Sequence, residues 1–334
     1  MTAADTIRFH IAAALSIACL LTTARTASAQ AFLPPAGEGN ITISYQNLFA
    51  RGHLDLNGDR MIGDSCCDPT QGHAIVMETE FGLTEGLAIN ASLPYIRARY
   101  EGTHPHLVGG VGDPQEWDDG HYHGTFQDFR VGVRYNITRR PLAVTPSFEI
   151  VIPSHHYPSL AHAAVGKDLR AYVAGVAVGG FLDAFLPRLF FHAQLSYARV
   201  QPVIGIHPDR SRVDGELGYF ITPRLSVRFL ESYLVTRDGI DLFTFTPMTD
   251  GVFHSTGIHI LPQERRYHDQ LQRSNYLTFG GGVGFALNGS MEVFVDAAKM
   301  VWGESVHPLQ AVTIGVNTHF STRRATPAPR STAD

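Results

Sequence analysis

Cysteine is nearly absent. Of three residues, Cys19 lies in the amino-terminal apolar run, and only the adjacent pair Cys66-Cys67 follows it. Two neighbours cannot staple a fold, so no disulfide framework holds this chain together. Beyond the first thirty residues there is also no apolar stretch of the roughly twenty residues that a membrane-spanning helix needs. Charge is sparse as well. With 17% charged residues, a net charge of -5 and no basic run, the chain lacks the electrostatic footprint of a nucleic-acid binder. No H-x-x-x-H on a helix, no paired C-x-x-C and no G-x-S-x-G provides a ready-made zinc site or nucleophile elbow, and no cofactor is implied.

The amino end reads as a secretory signal peptide over 1–29. Arg8 precedes the apolar run Ile11 to Leu21, and the small-residue triplet Ala27-Ser28-Ala29 supplies a cleavage site before Gln30. The run is too short for a retained helical anchor. A lipid anchor on Cys19 is disfavoured because apolar residues continue past it and Ser16 replaces the expected leucine. Residues 30–320 then form one large β domain, and the polar, proline-bearing stretch 321–334 reads as a flexible periplasmic tail.

Glycine at 32, phenylalanine at 20 and tyrosine at 12 suit a chain of many strands and turns. The decisive signal is a period of two. Phe129, Val131, Val133 and Tyr135 alternate with Asp128, Arg130, Gly132 and Arg134, so one face suits lipid and the other carries charge. Leu189, Phe191, Ala193, Leu195 and Tyr197 oppose a mixed set containing His192, and Arg199 falls at the outward end of that strand. Val213, Leu217, Tyr219 and Ile221 alternate against Asp214, Glu216 and Gly218.

About twelve strands are expected, near 41–51, 73–82, 87–100, 125–137, 142–153, 168–182, 188–200, 211–222, 225–236, 273–287, 291–303 and 309–320. Tight turns such as Leu83 to Gly86 and Thr222-Pro223-Arg224 alternate with polar excursions at 52–72, 101–124, 154–167, 201–210 and 237–272, with 304–308 the short exception. Short periplasmic turns and long outer loops mark a transmembrane, antiparallel, up-and-down β-barrel of the Gram-negative outer membrane. A soluble sandwich would alternate too, but it would have to bury one of two faces, and here many opposing faces are charged. An even strand number places both termini in the periplasm. Glu231 breaks the pattern by falling on the apolar face of its strand, which suggests a bulge, a rim position or a different register.

The stretch Thr125 to Tyr135 (TFQDFRVGVRY) resembles the G-x-x-D-h-x-h-G-h-x-Y strand of outer-membrane barrels in the group named for a meta-pathway of phenol degradation. The likeness extends to Leu83 to Leu87 with Leu93-Pro94-Tyr95, to Ile152-Pro153-Ser154-His155, and to Gly218 to Arg224. It reappears in the glycine-rich Leu277 to Leu287 and in Val301-Trp302-Gly303. The resemblance implies a barrel associated with uptake of small, often aromatic or hydrophobic compounds, and it supplies no catalytic residue. Val312, Ile314, Val316 and Phe320 resemble the aromatic-terminated signal read by barrel-assembly machinery.

Inward positions are expected for Glu78, Glu80, Asp128, Arg130, Arg134, Glu149, His192, Asp214, Glu216 and Arg228. Such a lining of both signs either sets the selectivity of a pore or fills a narrow barrel with salt bridges. In the loops, His104, His106, His121 and His123 bracket Asp113, Glu116, Asp118 and Asp119, and His155, His156 and His162 follow in the next. Imidazole beside carboxylate can bind a transition metal, although long polar loops collect such residues by composition alone. Asp55 to Asp59 begins like a calcium loop, yet Arg60 stands where the required glycine should be. Ser154-His155 and His254-Ser255 are neighbours only, without a third orienting group. Cys66 and Cys67 receive no role.

Three functions follow from this reading. The first is a channel for passive uptake of small, hydrophobic or aromatic molecules. The second is a closed scaffold or loop-displaying binder. The third is an outer-membrane hydrolase or metal-binding barrel. Expected partners are outer-membrane lipid and lipopolysaccharide, the assembly machinery and a small-molecule solute.

Overall fold

The computed structural model describes residues 31–52, 54–55, 57–59, 69–102, 105, 116–240, 245–247, 253–255 and 267–322. The signal-peptide assignment, all of the tail beyond Ser321 and Thr322, Cys66, Cys67, His104, His106 and Asp113 lie outside them; Ser321 itself belongs to a strand, so the sheet runs one residue past the expected boundary.

Twelve antiparallel strands close into a ring. In chain order they begin with β1 (Glu38–Arg51), β2 (Pro69–Gly82) and β3 (Leu87–Tyr100). The short β4 (His123–Phe126) and β5 (Asp128–Tyr135) follow one line along β3, interrupted at Gln127. Then come β6 (Ala143–Pro153), β7 (Ala171–Phe181), β8 (Leu189–Val200), β9 (Arg210–Phe220) and β10 (Leu225–Thr236). A two-stranded excursion, β11 (Phe245–Pro247) with β12 (Phe253–Ser255), and a single helical turn α1 (His268–Leu271) precede β13 (Asn275–Ala286), β14 (Met291–Glu304) and β15 (Leu309–Ser321). Pairing of β1 with β15, from Glu38–Ser321 to Ala50–Leu309, and of β2 with β3 closes the cylinder. Closure is what a bilayer demands, because hydrocarbon offers no partner to a free backbone N–H or C=O. No helix among the described residues is long and apolar enough to cross a membrane.

The wall is inverted relative to a soluble protein. Val131, Val133 and Tyr135 are 56%, 47% and 57% exposed, while Glu80, Glu149, His192, Asp214, Glu216, Arg228 and Asp296 are buried. Water-soluble folds arrange these classes the other way round. Outward Tyr172, Tyr197, Tyr233 and Trp302 stand toward the long-loop end, and Tyr135, Tyr219 and Phe285 toward the turn end, as aromatic girdles do. Glu231 keeps its outward register between Gly215 and Phe279, so no bulge explains it. It is nevertheless 7% exposed, shielded within an otherwise lipid-compatible face. The irregularity of this region lies instead at Leu277/Thr278, where β13 meets β14.

Candidate functional site: the barrel interior and its two covers

Of the ten expected residues, Glu80, Glu149, His192, Asp214, Glu216 and Arg228 are buried, and the closed ring brings most of the ten together in groups. Glu78, Glu80, Arg130, Arg134 and Glu149 line one cavity that opens to solvent. Arg134 pairs with Glu80. Arg130 Nη1 lies 3.3 Å from Glu149 Oε2, and Asn90 Nδ2 donates to Glu149 Oε1 at 3.1 Å.

Across the lumen, Arg228 holds Asp296 with two bonds, Nε to Oδ1 at 2.8 Å and Nη2 to Oδ2 at 3.0 Å. Gly282 permits this pair, since a Cβ at that position would run into the Asp296 carboxylate. Asp214 accepts from Ser232 Oγ at 2.9 Å and from Arg212 Nε at 2.7 Å. Glu216 is the register partner of His192, and Glu216 Oε1 and His192 Nδ1 are buried with no hydrogen-bond partner among the described residues. Asp128 stands apart from both groups at the outer end of β5, where it accepts from the Tyr157 hydroxyl. Asp296, Glu292 and Arg212 were missed from sequence. Alternation of Glu292, Phe294 and Asp296 with Val293, Val295 and Ala297 was the signal that could have found the first two.

The mouth at the tight-turn end carries a strap that strand patterns do not announce. Gly37 N–H bonds the carbonyl of Gly82 at the end of β2, and from there the chain runs back through Pro35 and Pro34 to the inner faces of β6, β7 and β8. Ala31 is fully buried against Ala143 and Ala177. Its carbonyl accepts from Thr145 Oγ1 at 2.6 Å and Asn136 Nδ2 at 3.2 Å. Phe32 meets the His192 ring edge-on at 5.5 Å. Residues 31–37 thus bridge from β1 and β2 to strands nearly opposite.

The outer mouth carries a lid. Leu169, Val203, Ile240 and Leu271 pack on inward-facing Val151, Ala171 and Val200. Trp117, Tyr157, Ala161, Ala163 and Val165 pack on inward-facing Ala98 and Tyr100. Lys167 Nζ donates to the Gln272 carbonyl at 3.0 Å, Gln270 Nε2 returns a bond to the Lys167 carbonyl at 2.8 Å, and Gln272 Nε2 reaches the Ser305 carbonyl at 2.6 Å. Asp209 pins the β8–β9 connection by accepting from Tyr197 Oη at 2.6 Å, Arg199 Nη1 at 2.6 Å and Val200 N–H at 2.8 Å.

The loop chemistry resolves into turn-making. His123 Nε2 lies 2.9 Å from Asp119 Oδ1, and that hydrogen bond holds the Asp119 carboxyl below its usual range. His121 Nδ1 is 3.5 Å from the same oxygen. Asp118 is turned away, accepting the backbone N–H groups of His162 and Ala163 at 3.1 Å. Among the described residues no three His, Cys, Asp or Glu side chains converge to hold a metal. Asp55 Oδ1 accepts the N–H groups of Asn57 and Asp59 at 2.8 and 2.9 Å, which makes an Asx turn. Ser154 Oγ lies 2.8 Å from His155 Nδ1, but it donates to the Phe126 carbonyl, and His155 Nε2 faces the Thr125 hydroxyl at 2.9 Å. A carboxylate to orient that imidazole is missing from the pair's described hydrogen bonds.

Inverted polarity, closure and alternating short and long connections define an outer-membrane β-barrel. The chain is similar in structure to an outer-membrane channel from Pseudomonas putida F1, at TM-score 0.63 and 10% identity, over 89% of this chain and 100% of that one. Weaker similarity extends to the NanC porin (TM-score 0.44, 10% identity, 84% of this chain and 98% of that one) and to the KdgM porin (TM-score 0.42, 8% identity, 84% and 99%). At these identities the likeness shows the fold alone. No family model matches the chain, and no curated protein does.

Proposed function

We propose that the protein is a passive outer-membrane channel for small polar solutes, with the strap and the lid limiting flux. The observation that carries this reading is the solvent-connected cavity whose wall presents Glu78, Glu80, Arg130, Arg134 and Glu149 together. Charged groups on a water-accessible wall hydrate and select ions or polar solutes. Aromatic or hydrophobic cargo is what the sequence resemblance implies; the charged lining favours the polar end of that range.

Conductance in planar bilayers tests the proposal. Intact protein should form small channels whose ion selectivity shifts when Arg134→Gln removes one lumen cation. Silence of the intact protein, together with no flux of small sugars or amino acids into liposomes, would overturn it. A second reading, a closed scaffold, draws support from the bidentate Arg228–Asp296 pair and from covers at both mouths. Deleting residues 31–36 separates the two: a channel should gain conductance several-fold, and a scaffold should stay silent.

A further inference from the structure

The outward face of β1 to β3 changes character near the long-loop end. Its lower part is apolar and open to lipid, with Ile75, Tyr95 and Phe126 at 52%, 38% and 49% exposure. One and two outward steps above Tyr95 stand Arg97 and Arg99, the register partners of His73 and Gln71. Phe49, beside Gln71 on the same face, is still exposed. Hydrocarbon therefore gives way to headgroups at about this level, where long cationic side chains can reach phosphate.

These cations sit in a built setting. Both guanidinium carbons lie over the Tyr122 ring, at 4.5 and 4.6 Å from its centroid. The Tyr122 hydroxyl donates to Gln71 Oε1 at 2.9 Å and lies 3.1 Å from His73 Nε2, and His73 Nδ1 is 2.7 Å from Tyr45 Oη. Gly124 keeps the adjoining wall open, because a Cβ there would come within 2.7 Å of the Tyr95 hydroxyl. Arg99 pairs with Glu101, and its Nε is buried with no hydrogen-bond partner among the described residues. Arg97 is exposed and has no carboxylate partner among the described residues. The contrast is Arg199, also outward at this end, whose charge Asp209 answers at 2.6 Å.

We infer that this patch binds the phosphorylated headgroup of an outer-leaflet glycolipid, with Arg97 and Arg99 on a phosphate and the acyl chains along Ile75, Tyr95 and Phe126. A guanidinium fork matches phosphate in a bidentate manner, and the Tyr122 ring, close to both guanidinium carbons, helps hold them in place before the ligand arrives. Charge complementarity selects an anion, and the exposed apolar rows directly beneath select one that carries chains. The site lies on the outer wall and is independent of whether the lumen conducts.

The test uses the full-length folded protein in detergent, with bound lipid counted by native mass spectrometry. The probes are bisphosphorylated lipid A, the same lipid with both phosphates removed, and phosphatidylglycerol. Wild type should retain the bisphosphorylated lipid at least tenfold better than Arg97→Gln/Arg99→Gln, and millimolar inorganic phosphate should not displace it. Arg97→Gln alone, which leaves the Arg99–Glu101 pair and the Arg99–Tyr122 contact in place, should lose several-fold and covers the case of a misfolded double variant. Arg139→Gln, in a turn at the opposite end, should bind as wild type. Equal retention by wild type and Arg97→Gln, equal retention of the dephosphorylated lipid, or phosphatidylglycerol binding as tightly would each overturn the assignment.

Discussion

Lys167 shows how one residue can set the behaviour of a loop. Its ammonium is enclosed by the lid and reaches a single carbonyl, that of Gln272. Burial, and then the nearby charge of Arg210, pull its pKa from 10.5 down to about 7, against the opposing pull of Asp269. A closed lid therefore binds fewer protons than an open one between those values. Closure should strengthen as pH rises through that window, and below about 7 it should carry the full cost of a buried charge. Hydrogen exchange at 154–170, corrected for intrinsic rates, should show protection growing from pH 7 to 9 in wild type and staying level in Lys167→Met. Parallel profiles for the two proteins would refute the coupling. Asp209, 2% exposed and accepting three bonds, makes a simpler case. Asp209→Ala should cost about 2–3 kcal/mol in denaturant unfolding, because the N–H of Val200 and the Tyr197 hydroxyl lose a charged acceptor; a loss below about 0.5 kcal/mol would mean water replaces it.

At the scale of elements, strap and wall are separable. The strap crosses Gly82 so closely that an added Cβ would run into the carbonyl oxygens of Pro34 and Pro35. Gly82 ends a strand with ordinary backbone geometry, so alanine is acceptable to the wall and not to the strap. Gly82→Ala should raise single-channel conductance while the barrel keeps its heat-modifiable migration on gels. Unchanged conductance with the strap displaced would show that the constriction lies at the lid.

For the whole molecule the governing quantity is the transfer energy of the outer wall. Val131 projects from the middle of β5 and is 56% exposed. In a bilayer, Val131→Arg should cost about 2–4 kcal/mol at mid-depth, measured by denaturant unfolding from vesicles. Near-zero cost would place that face in water and undo the membrane reading.

Period-two alternation is a local property, and all twelve wall strands and the exposed row of Val131, Val133 and Tyr135 were legible from residue order, because side chains on a strand can point only two ways. Even Glu231 was placed correctly on the apolar face, and its shielding there was not legible. Which inward charges meet was also out of reach: Arg134 finds Glu80 across 54 residues and Arg228 finds Asp296 across 68, distances that only closure of the ring bridges. Neither the strap nor the lid repeats a pattern; Ala31 lies against Thr145, and Lys167 against Gln272, through a few contacts between segments more than a hundred residues apart. Sequence alone determined the wall, through a rule that each residue obeys with its neighbours. Tertiary structure decided what occupies the interior, since that depends on which distant side chains share the enclosed space and can satisfy one another there.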